Sequence, residues 1–268
     1  MSPQLADLLA CPSCSAAVEQ RTPTAFACTS CGRISPLADG FLDMIQEPGQ
    51  PDPAAPTTAQ RLMESKAFVR LYETAMRPFF ARLFAGFGSH VPGYAEEFQV
   101  YHDWLKLEES RSGAWLDLSC GAGYFTDRLA GAIPDATVVG LDISVAMLNK
   151  ALQETIGRPN VSLVRGDVRG LPFKDGVFDG VSNPGSLHLY ADPQSAYREV
   201  FRLLKPGGVY TASTFAENDY PSSRLGVKLT GIRRTDLGTL PEELEKAGFT
   251  NYRLTKFGSA FIFAVTKP

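Results

Sequence analysis

An apolar run that ends on an acid and leads into a glycine turn constrains this chain more than any other feature. Residues 114–126 read Ala-Trp-Leu-Asp-Leu-Ser-Cys-Gly-Ala-Gly-Tyr-Phe-Thr. The apolar residues predict a buried strand, and the glycines at 121 and 123 allow a sharp turn close to a ligand. A helix is expected to begin at Tyr124, and its free N–H groups favour a negatively charged ligand group.

Two common nucleotide-binding patterns do not fit this turn. A dinucleotide fingerprint has a third glycine three residues after the second, but position 126 is Thr. A phosphate loop ends in Gly-Lys-Ser/Thr, which the stretch lacks. The pattern that remains is Asp-x-Ser-x-Gly-x-Gly, in which Asp117 would repel a pyrophosphate and could bind an ammonium group.

Further apolar runs with acidic ends follow. Residues 137–142 end on Asp142, and residues 163–168 contain Gly-Asp after a third run. Strands that alternate with helices form a parallel sheet with helices on both faces, and ligands bind at the carboxyl ends of such strands. The acids are therefore expected together at one edge of a sheet.

These stretches resemble the motifs of class I S-adenosylmethionine-dependent methyltransferases of type 11 (UbiE-like). That family usually has Gly where this chain has Ser119. Residues 171–181 resemble the approach to the family's fourth strand, and residues 203–210 resemble the turn into its fifth. The resemblance implies an α/β fold with a doubly wound, mostly parallel, seven-stranded, Rossmann-like sheet. Residues 251–257 and 260–266 would complete it as two antiparallel strands.

The resemblance also implies S-adenosylmethionine as the cofactor. Asp142 would hold the two ribose hydroxyls, since a carboxylate can accept from two O–H donors, and Asp167 would lie near the adenine amino group. The expected cofactor-binding residues are Asp117, Ser119, Gly121, Gly123, Asp142, Ile143, Asp167, Val168 and Asn183.

The loop after the fourth strand contains His188, and in the family this loop faces the transferable methyl group. A neutral imidazole could take a proton from a phenol or enol as it is methylated. The alternative is a histidine that only caps a helix or holds the loop. Cys120 is expected to pack within the turn, because no basic partner that would activate it as a nucleophile is evident.

Two Cys-x-x-Cys pairs mark a unit near the N-terminus. Their spacing is typical of a four-thiolate zinc ribbon, and a segment of this size is too short to fold by apolar burial alone. Two disulfides or a redox pair are the alternatives, and disulfides are disfavoured in the cytoplasm. The predicted ligands of a structural Zn²⁺ are Cys11, Cys14, Cys28 and Cys31.

The sequence predicts three parts. Residues 1–47 form the ribbon, residues 48–60 a proline-rich linker, and residues 61–268 the methyltransferase domain. Within the last part, residues 61–110 are interpreted as a helical lid and residues 216–240 as a second lid segment. Aromatic residues at helical spacing pack in a core or line an apolar pocket. The candidates for the substrate pocket are Tyr72, Tyr101, His188 and Tyr190.

Charge and composition limit the partners. A net charge of −3 gives no general attraction to nucleic acid or to an anionic membrane, and no apolar run reaches the length of a bilayer span. The first residues lack the features of a signal peptide, so a cytoplasmic location is expected. Residues 1–47 hold two basic residues against five acidic ones, which is a poor basis for phosphate contacts.

A ribbon followed by residues 67–78 and then the methyltransferase motifs is similar to a subgroup found in cyanobacteria, actinobacteria and plant plastids. That resemblance implies biosynthetic methyl transfer to a small, apolar or aromatic, often quinone-like molecule, at oxygen, carbon or nitrogen. Two alternatives stay open. One is a ribosomal or transfer RNA methyltransferase that reads RNA with its ribbon, and the other is a cofactor-binding protein with a cyclase or activator role. The sequence does not predict the oligomeric state.

Overall fold

The structure is a computed structural model that describes residues 4–45, 77–85, 91–110, 112–218, 220–230 and 232–268. The predicted linker and the first part of the predicted lid, including Tyr72, lie outside these residues. Among the described helices, none combines the length and the apolar character needed to cross a bilayer.

The described part of the chain contains eleven strands and eight α-helices. The strands are β1 (Val18–Thr22), β2 (Ala25–Cys28), β3 (Ile34–Ala38), β4 (Phe41–Asp43), β5 (Ala114–Leu118), β6 (Thr137–Asp142), β7 (Val161–Arg165), β8 (Phe178–Pro184), β9 (Leu204–Phe215), β10 (Thr250–Phe257) and β11 (Ala260–Thr266). The helices are α1 (Leu5–Leu8), α2 (Arg77–Ala85), α3 (Tyr94–Trp104), α4 (Tyr124–Ala132), α5 (Val145–Glu154), α6 (Pro193–Leu203), α7 (Pro221–Thr230) and α8 (Leu240–Lys246).

The seven strands from β5 onward form the predicted sheet. Their order is β7-β6-β5-β8-β9-β11-β10. The first five of these strands are parallel, and β11 and β10 pair antiparallel at the far end. Every residue of β5, β6 and β7 is buried, as expected for parallel strands covered on both faces. The predicted α/β fold class is therefore confirmed.

Four N-terminal strands extend this sheet beyond the seven expected. Strand β4 pairs in parallel with β7, with Leu42 opposite Val164, while β1 to β4 pair antiparallel in sequence. The Ala10 N–H also donates to the carbonyl oxygen of Pro172 at 3.0 Å. An edge strand leaves backbone groups unpaired, and β4 satisfies those of β7. Whether residues 1–47 form a separate domain stays a prediction.

The described parts of the two predicted lid segments pack on each other. A Cβ added to Gly226 of α7 would lie 2.6 Å from a ring carbon of Phe84 in α2, so a side chain at that position would not fit. The Phe84 ring centroid lies 5.4 Å from that of Phe215, the last residue of β9. Helix α2, on which α7 packs, therefore covers the end of β9, while the action of the two helices as a lid stays a prediction.

Candidate functional site

The four cysteines of the N-terminal unit converge on one point. Their Sγ atoms all lie within 4.8 Å of one another, and all five cysteines of the chain are free thiols. Zn–S bonds of about 2.3 Å in a tetrahedron place sulfur atoms about 3.8 Å apart. The backbone N–H groups of Cys31 and Ser30 donate to Cys28 Sγ and lower the pKa of that thiol to about 6, which favours the metal-binding thiolate. The set therefore fits a closed zinc site.

The turn between β5 and α4 has three residues in the left-handed region, Ser119, Gly121 and Gly123. A Cβ added to Gly123 would lie 2.8 Å from the Cα of Ala151, so only glycine allows α4 and α5 to approach here. At Gly121 an added Cβ would meet nothing within 4 Å. The turn is thus tightly packed on one side and open on the other, where a ligand can reach the backbone.

Ser119 shows how this chain tolerates a side chain at the position of the family's glycine. Its φ is 57°, and a left-handed conformation costs an ordinary residue roughly 1–2 kcal/mol. The Ser119 Oγ is hydrogen-bonded to the Tyr190 hydroxyl at 2.7 Å. That hydroxyl also accepts from Asn183 Nδ2 at 2.6 Å. These bonds join the turn to the loop after β8 and offset the strain at Ser119.

Asp117 lies beneath the turn with no solvent exposure. Thr126 Oγ1 donates to one carboxylate oxygen at 2.6 Å, and Ser182 Oγ donates to the other at 3.4 Å. Burial raises the pKa of Asp117 to about 7, since desolvation disfavours the charged form. Burial also raises the pKa of the Cys120 thiol well above its usual value, so that thiol stays protonated and packs as predicted.

Asp142 lies at the end of β6 beside the open face of the turn. Its Oδ2 accepts from the Gly121 N–H and its Oδ1 from the Ser144 N–H, both at 2.9 Å. Burial raises the pKa of this carboxyl. Each carboxylate oxygen keeps a second lone pair, so Asp142 can accept two hydroxyl donors from a ligand while it holds the turn. Ser144 Oγ accepts from the Met147 N–H at 3.3 Å and caps the start of α5.

Asp167 follows β7 and is bound to a neighbouring arginine. Burial alone would raise the pKa of Asp167, but the Arg169 guanidinium, with Nε 3.0 Å from both carboxylate oxygens, holds that pKa below its usual value. The contacts of the predicted residues Ile143, Val168 and Asp167 with a cofactor stay predictions.

The ends of β8 and β9 bring together another group of predicted residues. The His188 ring centroid lies 5.4 Å from that of Phe215. Tyr101 is fully buried, and its hydroxyl donates to the backbone carbonyl of Asn183 at 3.3 Å. Tyr190 is also buried, and its hydroxyl is hydrogen-bonded to Ser119 in the turn after β5. The substrate-pocket role of these side chains stays a prediction.

The sequence analysis missed a buried carboxyl group on α3. Glu97 is 5% exposed and accepts from Ser213 Oγ at 2.7 Å, near the end of β9. The available signal was its position one helical turn before Tyr101, which places both side chains on the same face of the helix. A carboxyl group therefore lies among the otherwise uncharged side chains at the carboxyl ends of β8 and β9.

Comparison with known proteins finds methyltransferases. A family profile described as "Methyltransferase domain" matches residues 116–212. An uncharacterised chloroplastic methyltransferase of Arabidopsis thaliana is 31% identical over 227 residues, which cover 78% of this chain and 62% of the relative. The 2-phytyl-1,4-naphtoquinone methyltransferase of Thermosynechococcus vestitus is 38% identical over 111 residues, or 41% of this chain and 48% of the relative. This chain thus spans less than two thirds of either relative.

The fold is also similar to that of solved methyltransferase structures. The structure of Haemonchus contortus phosphoethanolamine N-methyltransferase 2 in complex with S-adenosyl-L-methionine superposes with a TM-score of 0.63 at 16% identity, covering 82% of this chain and 62% of that one. At this identity the likeness establishes the fold and not the substrate. The matching family profile identifies residues 116–212 as a methyltransferase domain, and the strand order and the superposed structure show that it has the class I methyltransferase fold.

Proposed function

We propose that this protein transfers the methyl group of S-adenosylmethionine to a small apolar or aromatic molecule of the phenol, enol or quinol type. The observation that carries the proposal is the turn that is open above Gly121 and bordered by the Asp142 carboxylate, next to aromatic side chains at the ends of β8 and β9. The naphthoquinone named in the Thermosynechococcus vestitus relative supports this substrate class.

The residues present fit this cofactor. Asp142 has acceptor capacity for two ribose hydroxyls, and the side of Gly121 that faces away from the packed helices is open. When bound, S-adenosylmethionine supplies a methyl group already activated on a sulfonium. The protein then has to orient the accepting atom and exclude water. Phe215, which is partly exposed and is backed by the buried Phe84 ring, provides apolar surface for that purpose.

In this proposal His188 takes the proton released by a phenol or enol. Its ring packs beside Phe215 on the substrate side of the edge, and its backbone carbonyl accepts from the Arg233 N–H at 3.0 Å. That bond holds the loop while the imidazole faces the aromatic group. A neutral imidazole is a suitable base near neutral pH.

We also propose that the four cysteines hold Zn²⁺ as a structural ion. Four thiolates complete a tetrahedral site and leave no open coordination position for a reactant. The metal then contributes to folding and takes no part in methyl transfer.

The small-molecule assignment is favoured over RNA because both arginines of residues 1–47 have partners within this segment. The Arg33 guanidinium donates to Ser13 and to the carbonyl oxygens of Met44 and Ile45. Arg21 lies 3.6 Å from the Glu19 carboxylate. Neither arginine therefore forms part of a basic surface for phosphate groups.

The test starts with calorimetric binding of S-adenosylhomocysteine to the zinc-loaded full chain, followed by labelled methyl transfer to a panel of phenols and quinols. We expect saturable binding and a product that carries one new methyl group. Asp135→Ala, at an exposed position, is the control for a matched Asp142→Ala variant. Absence of binding would refute the proposal, and binding with a product that lacks a new methyl group would favour a cyclase or activator role.

A further inference from the structure

Residues 4–45, here called the cysteine unit, reach the same sheet edge as the proposed cofactor site. Strand β4 runs parallel to β7, with Asp43 opposite Arg165. The next residue, Met44, donates its N–H to the carbonyl oxygen of Arg165 at 3.0 Å. Because parallel strands end at the same edge, the residues after β4 lie beside those after β7.

A buried ion pair crosses this junction. Arg165 Nη1 lies 3.0 Å from Asp43 Oδ2, and the two side chains are 6% and 9% exposed. The same guanidinium donates through Nε to the carbonyl oxygen of Ile143 at 3.0 Å. Ile143 directly follows Asp142, so one side chain connects the cysteine unit to the loop proposed to hold the ribose.

A cavity of about 240 Å³ lies at the same junction. Arg33, Met44 and Ile45 line it from the cysteine unit, and Asp167 and Arg169 line it from the loop after β7. Arg33 follows Cys31, one of the proposed zinc ligands, by two residues and donates to the carbonyl oxygens of Met44 and Ile45. The cysteine cluster is therefore connected by hydrogen bonds to the wall that faces Asp167.

We propose that the cysteine unit forms the outer wall of the adenosine end of the cofactor site, and that Asp43 and Arg165 are positioning residues that couple zinc binding to cofactor binding. The proposal rests on the proposed function. Zinc fixes the segment that carries Arg33, and Arg165 fixes the loop after β6. Binding of either ligand then orders residues at the binding site of the other. Such a coupling is reciprocal, so each ligand tightens the other by the same factor.

The first measurement is the affinity of zinc-loaded protein for S-adenosylhomocysteine, by calorimetry. Arg165→Lys keeps a positive charge opposite Asp43 but lacks the second donor for Ile143, and Asp43→Asn removes the carboxylate charge. We expect both variants to bind roughly five- to tenfold more weakly with their zinc content unchanged. The control is Asp179→Asn. Asp179 pairs with Lys205 and accepts from the Ala114 N–H at the amino-terminal ends of the strands, opposite the proposed site. Its affinity should stay within about twofold of the wild type.

The second measurement uses the wild-type protein alone. The zinc dissociation constant is measured by competition with a chelator. It should fall roughly five- to tenfold when S-adenosylhomocysteine is saturating, because the coupling is reciprocal. If the wild type does not bind S-adenosylhomocysteine, the proposed function fails and this inference with it. If the wild type binds but both folded variants match its affinity, only the inference is overturned. If the variants do not fold, the wild type decides. The inference is overturned if its affinity for zinc is the same with and without saturating S-adenosylhomocysteine.

Discussion

The carboxyl edge of the sheet consists of two halves with different chemistry. The half proposed for the cofactor, here called the cofactor half, lies at the ends of β5, β6 and β7 and carries Asp117, Asp142 and Asp167. The half proposed for the substrate, here called the substrate half, lies at the ends of β8 and β9 and carries His188, Ser213 and Phe215. One half suits a ligand with a positive charge and hydroxyl donors, and the other suits an apolar ring. The difference shows how one edge can hold two unlike ligands next to each other.

The boundary between the halves is a hydrogen-bonded contact. Ser119 belongs to the turn after β5, and Tyr190 belongs to the loop after β8. Their hydroxyl groups lie 2.7 Å apart, and burial raises the pKa of Tyr190, which keeps its phenol neutral. A neutral contact therefore separates the acidic half from the aromatic half.

The two largest expected effects are of about equal size, and the first lies in the substrate half. His188→Ala should lower kcat by about 100-fold, the lower end of typical general-base contributions. It should leave the affinity for S-adenosylhomocysteine unchanged, because the ring packs on Phe215 and not on the turn. The matched control is His102→Ala on α3. An unchanged kcat would contradict the proposed role of His188 as a base and leave it only a packing role.

A change in the cofactor half should have the opposite kinetic signature. Asp142→Ala should raise the dissociation constant for S-adenosylhomocysteine roughly 100-fold, because hydrogen bonds to a charged acceptor contribute about 1.5–3 kcal/mol each. Calorimetry measures this change, and circular dichroism verifies that the Gly121 turn still folds. An effect equal to that of exposed Asp135→Ala would contradict the division into halves.

The acidic half should also change stability with pH. The pKa of Asp117 is raised to about 7 in the folded protein, so the folded state binds more protons than the unfolded state between the two pKa values. Its contribution to stability is present at low pH and is lost as the pH rises through about 7. Relative to Asp117→Asn, the wild type should lose about 1.4 kcal/mol between pH 6 and pH 8. Urea unfolding at both pH values measures this, and parallel curves would refute it.

The smallest effect is expected at the boundary. Ser119→Gly removes the left-handed strain together with the hydrogen bond to Tyr190, and Tyr190→Phe removes only the hydroxyl. A double-mutant cycle by urea unfolding should give a coupling of roughly 1 kcal/mol. Strict additivity would show that the two halves are not joined through this pair.

Local patterns explain why much of the fold was predictable. Apolar runs alternate with helical segments from β5 to β9, and this alternation alone implies a parallel sheet with the acids at one edge. The cap of α5 was equally local, because Ser144 needs only the N–H of Met147, three residues later. The spacing of the two Cys-x-x-Cys pairs likewise predicted the cluster that the structure forms.

The sequence by itself thus determined the fold class, the strand-end acids and the four-cysteine cluster, since each depends on residues close together in the chain. Only the tertiary structure decided that β4 extends the sheet along β7 and that Asp43 meets Arg165. No periodicity marks which edge a strand will join, because that choice depends on surfaces formed after the rest of the sheet has packed. The same holds for the Tyr190 hydroxyl, whose direction is set by the loop after β8 and not by its neighbours in sequence.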